Sequence, residues 1–171
     1  MPEDGSKLWP VAVLADEQRQ VQLQVPVERL TRVAELLASR SGTVTGNVAL
    51  LREDGRIIAE VALHAELTLR CQRCLGPLPT VVDSSSRVAL LESEEQAASV
   101  PPELETALAP DGRLRPADLV EEELLLALPA APRHAAGECP AAPQGEAEDA
   151  EQTVQRPFAG LGELLGKRSK H

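Results

Sequence analysis

The chain has 171 residues with 17 basic and 27 acidic side chains, a formal net charge of −10, and an apolar content of 43% that is almost wholly Ala, Val and Leu. That is length enough to bury a core. The only aromatic residues are Trp9 and Phe158, which excludes the stacking platforms of single-strand nucleic-acid binders, and no apolar run approaches the ~18 residues of a membrane span.

The start Met1-Pro2-Glu3-Asp4 has neither the positive nor the apolar region of a secretory signal, so the expected location is cytoplasmic. Leu8 to Leu14 is a short apolar segment that tucks against the body. From Gln18 to Val25 the chain alternates, with Val21, Leu23 and Val25 on one face and Gln20, Gln22 and Gln24 on the other, as in a half-buried strand. Pro26 suits a first helical turn, and Leu30, Val33, Ala34 and Leu37 follow at 3.6-residue spacing, which predicts a helix to about Ser39 that ends at Ser41-Gly42. Thr43 to Leu51 reads as a strand. Asp54-Gly55 supplies a hairpin turn, and Ile57 to Leu69 forms a long alternating strand with Glu60, His64, Glu66 and Thr68 on its polar face. Parity puts Cys71 on the apolar side of that strand's end. Gly76-Pro77 and Pro79 turn the chain, and Val81 to Leu91 pairs back antiparallel.

From Glu92 to Pro116 the sequence is rich in Glu, Ala, Ser and Pro, and it reads as a long mobile acidic loop with at most one helical turn. Pro116 opens a helix with carboxylates early, then Leu124-Leu125-Leu126-Ala127-Leu128, and Pro129 stops it. Residues 140–155 read as a disordered acidic linker, and residues 156–171 as a short docking segment, Phe158 to Leu165, with a basic tail. The expected architecture is α+β: an antiparallel, barrel-like sheet packed with the helices from Pro26 and Pro116, in a single domain over residues 1–139 with its acidic loop at 92–116.

Charge is spread unevenly. Between Glu92 and Glu151 fifteen carboxylates are opposed only by Arg113, Arg115 and Arg133, so phosphate backbones are repelled there. Direct nucleic-acid contact would fall to Arg40, Arg52, Arg56, Arg70, Arg73 and Arg87, or to Lys167-Arg168-Ser169-Lys170; both segments also read as solvated surface. A basic protein is the better electrostatic match.

Cys71 and Cys74 lie one tight turn apart, and the third cysteine, Cys139, follows a proline-punctuated stretch that also carries His134. Three readings stand side by side. Two thiols at i and i+3 with a thiol and an imidazole from a second segment form a set for structural zinc, namely Cys71, Cys74, His134 and Cys139. Cys71-Gln72-Arg73-Cys74 is also a C-x-x-C dithiol, whose thiolate Arg70 and Arg73 would favour, although a helix start after the strand is missing. The third reading is that the cysteines merely pack; an odd, small number of thiols argues against a disulfide framework. No catalytic residue stands out. His134 lacks the Glu a zinc deaminase needs two residues on, and no phosphate-cradling or nucleophile-elbow motif occurs. Glu121-Glu122-Glu123 fans over about 200° of a helix, which suits a solvated face rather than convergence on one ion.

Four motifs in order, Leu69-Arg70-Cys71-Gln72-Arg73-Cys74-Leu75, the helix Asp118 to Pro129, the segment His134 to Cys139, and Arg156-Pro157-Phe158-Ala159-Gly160-Leu161, resemble the YceD family of large ribosomal RNA subunit accumulation proteins. The resemblance implies a bacterial cytoplasmic protein that supports the synthesis, processing or stability of 23S ribosomal RNA. Some members carry a second C-x-x-C where this chain has His134 and Cys139, as interchangeable metal ligands would allow. The expected function is that of a non-enzymatic ribosome-biogenesis factor, its partner a large-subunit ribosomal protein or an assembly intermediate. The alternative is an enzyme, either a nuclease acting on precursor ribosomal RNA or a thiol oxidoreductase using the C-x-x-C pair.

Overall fold

Period-two alternation builds one sheet. The structure, a computed structural model, describes residues 2–139. Strands β2 (Gln20–Pro26), β3 (Thr43–Glu53), β4 (Arg56–Arg70) and β5 (Pro77–Leu91) pair antiparallel in sequence order, and β6 (Glu105–Leu108) joins the free edge of β5. The sheet curls into a half-barrel. Its register sets the apolar side chains in rows across the concave face: Val25, Val44, Ala65 and Val82 face one another, and all are buried. The Asp54-Gly55 turn joins β3 to β4 with both residues at positive φ, 50° and 78°, the geometry that matches hairpin twist.

The helix from Pro116 forms as expected. It is α2 (Pro116–Ala127), with Pro116 in its first turn, and it lies over β3, β4 and β5. Gly46 permits that seating. A Cβ at Gly46 would come within 2.8 Å of Val120 Cγ2, so the bare backbone is what lets α2 approach the sheet there.

Three expectations are corrected. No α-helix follows Pro26: only Val27–Arg29 makes a 3-10 turn, and the rest proceeds through turns. The ends of this excursion are tied together, Val27 N–H donating to Gly42 O at 3.1 Å, while its tip reaches the far end of β4. There Ala38 N–H donates to Thr68 O at 2.8 Å and Arg70 N–H to Leu36 O at 2.9 Å. Backbone bonds to β4 and burial of Leu30, Val33 and Leu37 replace the helical ladder, so the 3.6-residue spacing reports burial rather than helicity. The second helix is instead α1 (Val11–Asp16), within the segment read as an apolar tuck. It follows β1 (Trp9–Pro10), which pairs with β7 (Arg113–Leu114). The stretch 92–116 is not a structureless loop: it contains β6, β7 and two 3-10 turns. Because β6 runs parallel to β5, the sheet is mixed; a parallel partner needs a crossover of about a dozen residues, which the chain after Leu91 supplies. The linker 140–155 and the docking segment 156–171 lie outside the described residues. Among the described residues no helix is long and apolar enough to cross a membrane.

Candidate metal centre

Cys71 to Gly76 is the loop of the β4–β5 hairpin, closed where Arg70 pairs with Pro77. Cys71 N–H donates to Gly76 O and Leu75 N–H to Cys71 O, both at 2.9 Å, with Leu75 at φ 60°. Cys71, on the apolar parity of β4, is fully buried. The other half of the site arrives after α2. Gln72 N–H donates to Pro132 O at 2.8 Å, which docks the returning chain against the hairpin loop. Gly137, at φ 86°, lies in the turn that brings Cys139 back.

The four residues expected as ligands converge. One donor atom from each of Cys71, Cys74, His134 and Cys139 lies within 4.8 Å of all the others. Cys71 Sγ is 3.8 Å from Cys139 Sγ, and His134 Nδ1 is 3.5 Å from Cys74 Sγ and 3.6 Å from Cys139 Sγ. For zinc–sulfur bonds of ~2.3 Å and a zinc–nitrogen bond of ~2.0–2.1 Å, tetrahedral angles require S···S edges of about 3.8 Å and N···S edges of about 3.6 Å. A disulfide would instead need sulfurs about 2.05 Å apart. The imidazole is already oriented as a ligand. Its Nε2 is 3.0 Å from Pro77 O, which can only accept, so Nε2 carries a proton and Nδ1 is the ring atom turned to the sulfurs.

Arg73 completes the surroundings. Its Nε–H donates to Cys139 Sγ at 2.9 Å and its terminal nitrogen to Ala135 O at 3.1 Å. A divalent ion bound by three thiolates would carry one net negative charge, which this guanidinium would offset. Arg70, also named for the thiolate reading, is exposed and uses its backbone N–H on Leu36. Burial pushes the Cys71 thiol up, yet the backbone N–H groups of Cys74, His134 and Arg73 outweigh it and hold the thiol at about 5. Cys74 is raised: the Gly76 N–H lowers it, but desolvation and the neighbouring thiols of Cys139 and Cys71 together prevail. The thiols of Cys71 and Cys139 raise His134.

The other residues singled out in the sequence are dispersed. His64 is exposed and pairs with Asp83 at 2.7 Å, while His171 lies outside the described residues. Arg52 pairs with Asp16, Arg87 with Glu53 and Glu60, and Arg56 donates to Ser99 O at 3.0 Å. The triple-glutamate face is corrected. Glu121 and Glu123 are 8% and 6% exposed, on opposite flanks of α2. Glu121 accepts the Arg32 backbone N–H at 2.7 Å, and Glu123 accepts the hydroxyls of Ser84 and Ser86. Ser84 and Ser86 on the inward parity of β5, in place of the valines and leucines around them, were the one available hint of a polar partner there.

A family model described as large ribosomal RNA subunit accumulation protein YceD matches residues 59–165. No solved structure matches the chain. The matched span holds most of β4, all of β5 and α2, and all four converging side chains, and it covers more than half of the sequence. The chain belongs to the YceD family, the large ribosomal RNA subunit accumulation proteins.

Proposed function

We propose that this protein is a non-enzymatic, cytoplasmic ribosome-biogenesis factor that supports the synthesis, processing or stability of 23S ribosomal RNA, with a structural zinc ion held by Cys71, Cys74, His134 and Cys139. Family membership carries the biological half of this reading. The chemical half is carried by His134 Nδ1 facing two sulfurs at 3.5 and 3.6 Å. Four protein donors fill a tetrahedral set and leave no open position for water or substrate, as in structural rather than catalytic zinc sites. Cys74 sits in a hairpin loop and not at a helix start, which favours a metal ligand over a thioredoxin-like nucleophile. The direct partner is a large-subunit ribosomal protein or an assembly intermediate, because the acidic half of the chain attracts basic protein and repels bare phosphate.

Two measurements test this. Protein purified without added zinc should hold about one zinc per chain by elemental analysis, and Cys74→Ser should lower that content. Cells depleted of the protein should lose mature 23S RNA, while the purified protein leaves precursor 23S RNA intact. Cleavage of that precursor, abolished by one side-chain change, would replace the assembly-factor reading with a nuclease.

A further inference from the structure

The curl of the sheet leaves a cleft of about 670 Å³ between α2 and the β6 edge. Glu105 on β6 and Asp118, Glu122 and Glu123 on α2 line it, together with apolar side chains that include Leu108 and Leu126. Those two leucines are 42% and 63% exposed. Among the described residues the only basic one in the lining, Arg32, is already paired with Glu122. Glu123 is the telling group. The residue is 6% exposed, its carboxylate rests on two serine hydroxyls, and among the described residues it has no ion-pair partner. A desolvated carboxylate supported only by neutral donors gains from a cation brought to it. β6 is also the outermost strand of the sheet, so a row of its backbone donors and acceptors lies outside the sheet's ladder.

We infer that this cleft docks an extended, lysine- and arginine-rich segment of a partner protein, laid along β6 with cations toward Glu123, Asp118 and Glu105 and a branched apolar side chain between Leu108 and Leu126. Charge complementarity chooses the occupant. Four carboxylates with one neutralised arginine reject an acidic segment or a phosphate backbone, and the exposed leucines give a polybasic chain an anchor that simple counterions lack. The inference rests on the reading above only in taking the partner to be a basic protein.

The test uses the full chain and a fluorescein-labelled synthetic peptide alternating Lys with Val and Leu, read by anisotropy at two salt concentrations. The peptide should bind, weaken as salt rises, and compete with an unlabelled copy but not with a Glu-for-Lys version. Glu105→Gln with Asp118→Asn should weaken binding about tenfold, and so should Leu126→Arg. These positions are at the surface, so circular dichroism should be unchanged; Glu123→Gln removes the buried charge and should weaken binding as well. Hydrogen exchange should slow at β6 amides when peptide is added. Equal affinity in the surface variants, or protection elsewhere, overturns the inference. So does failure of the peptide to bind the full chain, as when a second copy already fills the cleft. The probe contains no ribosomal component, so its failure leaves the ribosomal RNA role standing, and a failed depletion phenotype leaves peptide binding intact.

Discussion

The seating of α2 on the sheet can be weighed at one contact. A methyl at Gly46 would sit 2.8 Å from Val120 Cγ2, whereas carbon atoms attract at about 3.5–4.0 Å, so Gly46→Ala forces a displacement of roughly 1 Å. Val120 is fully buried, and Gly46 is flanked by Leu23 on β2 and Leu63 on β4, which leaves little room to yield. Overpacking of this kind costs about 1–3 kcal/mol, against a gain of about 0.4–1 kcal/mol from stiffening the unfolded chain. The expected net loss is about 1–2 kcal/mol in urea denaturation, with an unchanged slope. Val120→Ala alone leaves a cavity and also destabilises. The double variant should lose less than the sum of the two, because the new methyl occupies part of the space vacated, with a coupling of about 0.5–2 kcal/mol. A Gly46→Ala protein as stable as the parent, or strict additivity in the cycle, would refute the close approach.

Three further outcomes are expected. Arg73→Met should leave the ligand set intact but weaken zinc about 10- to 100-fold in a chelator competition, since the hydrogen bond to Cys139 Sγ and the compensating charge both go. Removing zinc with a chelator should lower the melting temperature of the parent and leave that of Cys74→Ser nearly unmoved, because only a bound ligand stabilises by mass action. Asp4 is held well below its usual range, first by the Arg29 guanidinium at 2.7 Å and then by Ser6. A depressed carboxyl stabilises above its unfolded value, near 3.8, and loses that contribution as pH falls toward its folded value. The stability gap between the parent and Asp4→Asn should therefore be present at pH 7 and shrink below pH 4; a gap that widens in acid contradicts the assignment.

The sheet was legible because its signals are local and agree. Alternation at Val21-Leu23-Val25 and along Ile57 to Leu69, with Asp54-Gly55 between two strands, leaves one register that buries every apolar face. The cluster of potential metal-binding side chains was legible from residue type and spacing alone, Cys71 and Cys74 from one hairpin, His134 and Cys139 from beyond α2. What could not be read depends on distant partners. The segment after Pro26 has helical spacing, but the N–H groups of Arg32, Ala38 and Val27 are taken by Glu121, Thr68 and Gly42, none of them near in sequence. β6 has only four residues in an acidic context and exists because β5 offers an edge. Glu121 and Glu123 look like solvated charge until Arg32, Ser84 and Ser86 are brought against them.

The distance along the chain between the two halves of the cysteine cluster has a consequence for biosynthesis. Cys71 and Cys139 are 68 positions apart, and the segment between them includes β5, β6 and α2. A ribosome adding about 5–20 residues per second makes the hairpin loop several seconds before the last thiol emerges. For most of that interval β2, β3 and β4 can pair, but α2 has not yet been made to cover the concave face and the first two thiols have only each other. An ion captured early would be held by half a site. The final thiol would turn a loose adduct into a clasp that ties the exit of α2 to the tip of the β4–β5 hairpin, so a bound metal would act at the last step of closure rather than as a nucleus.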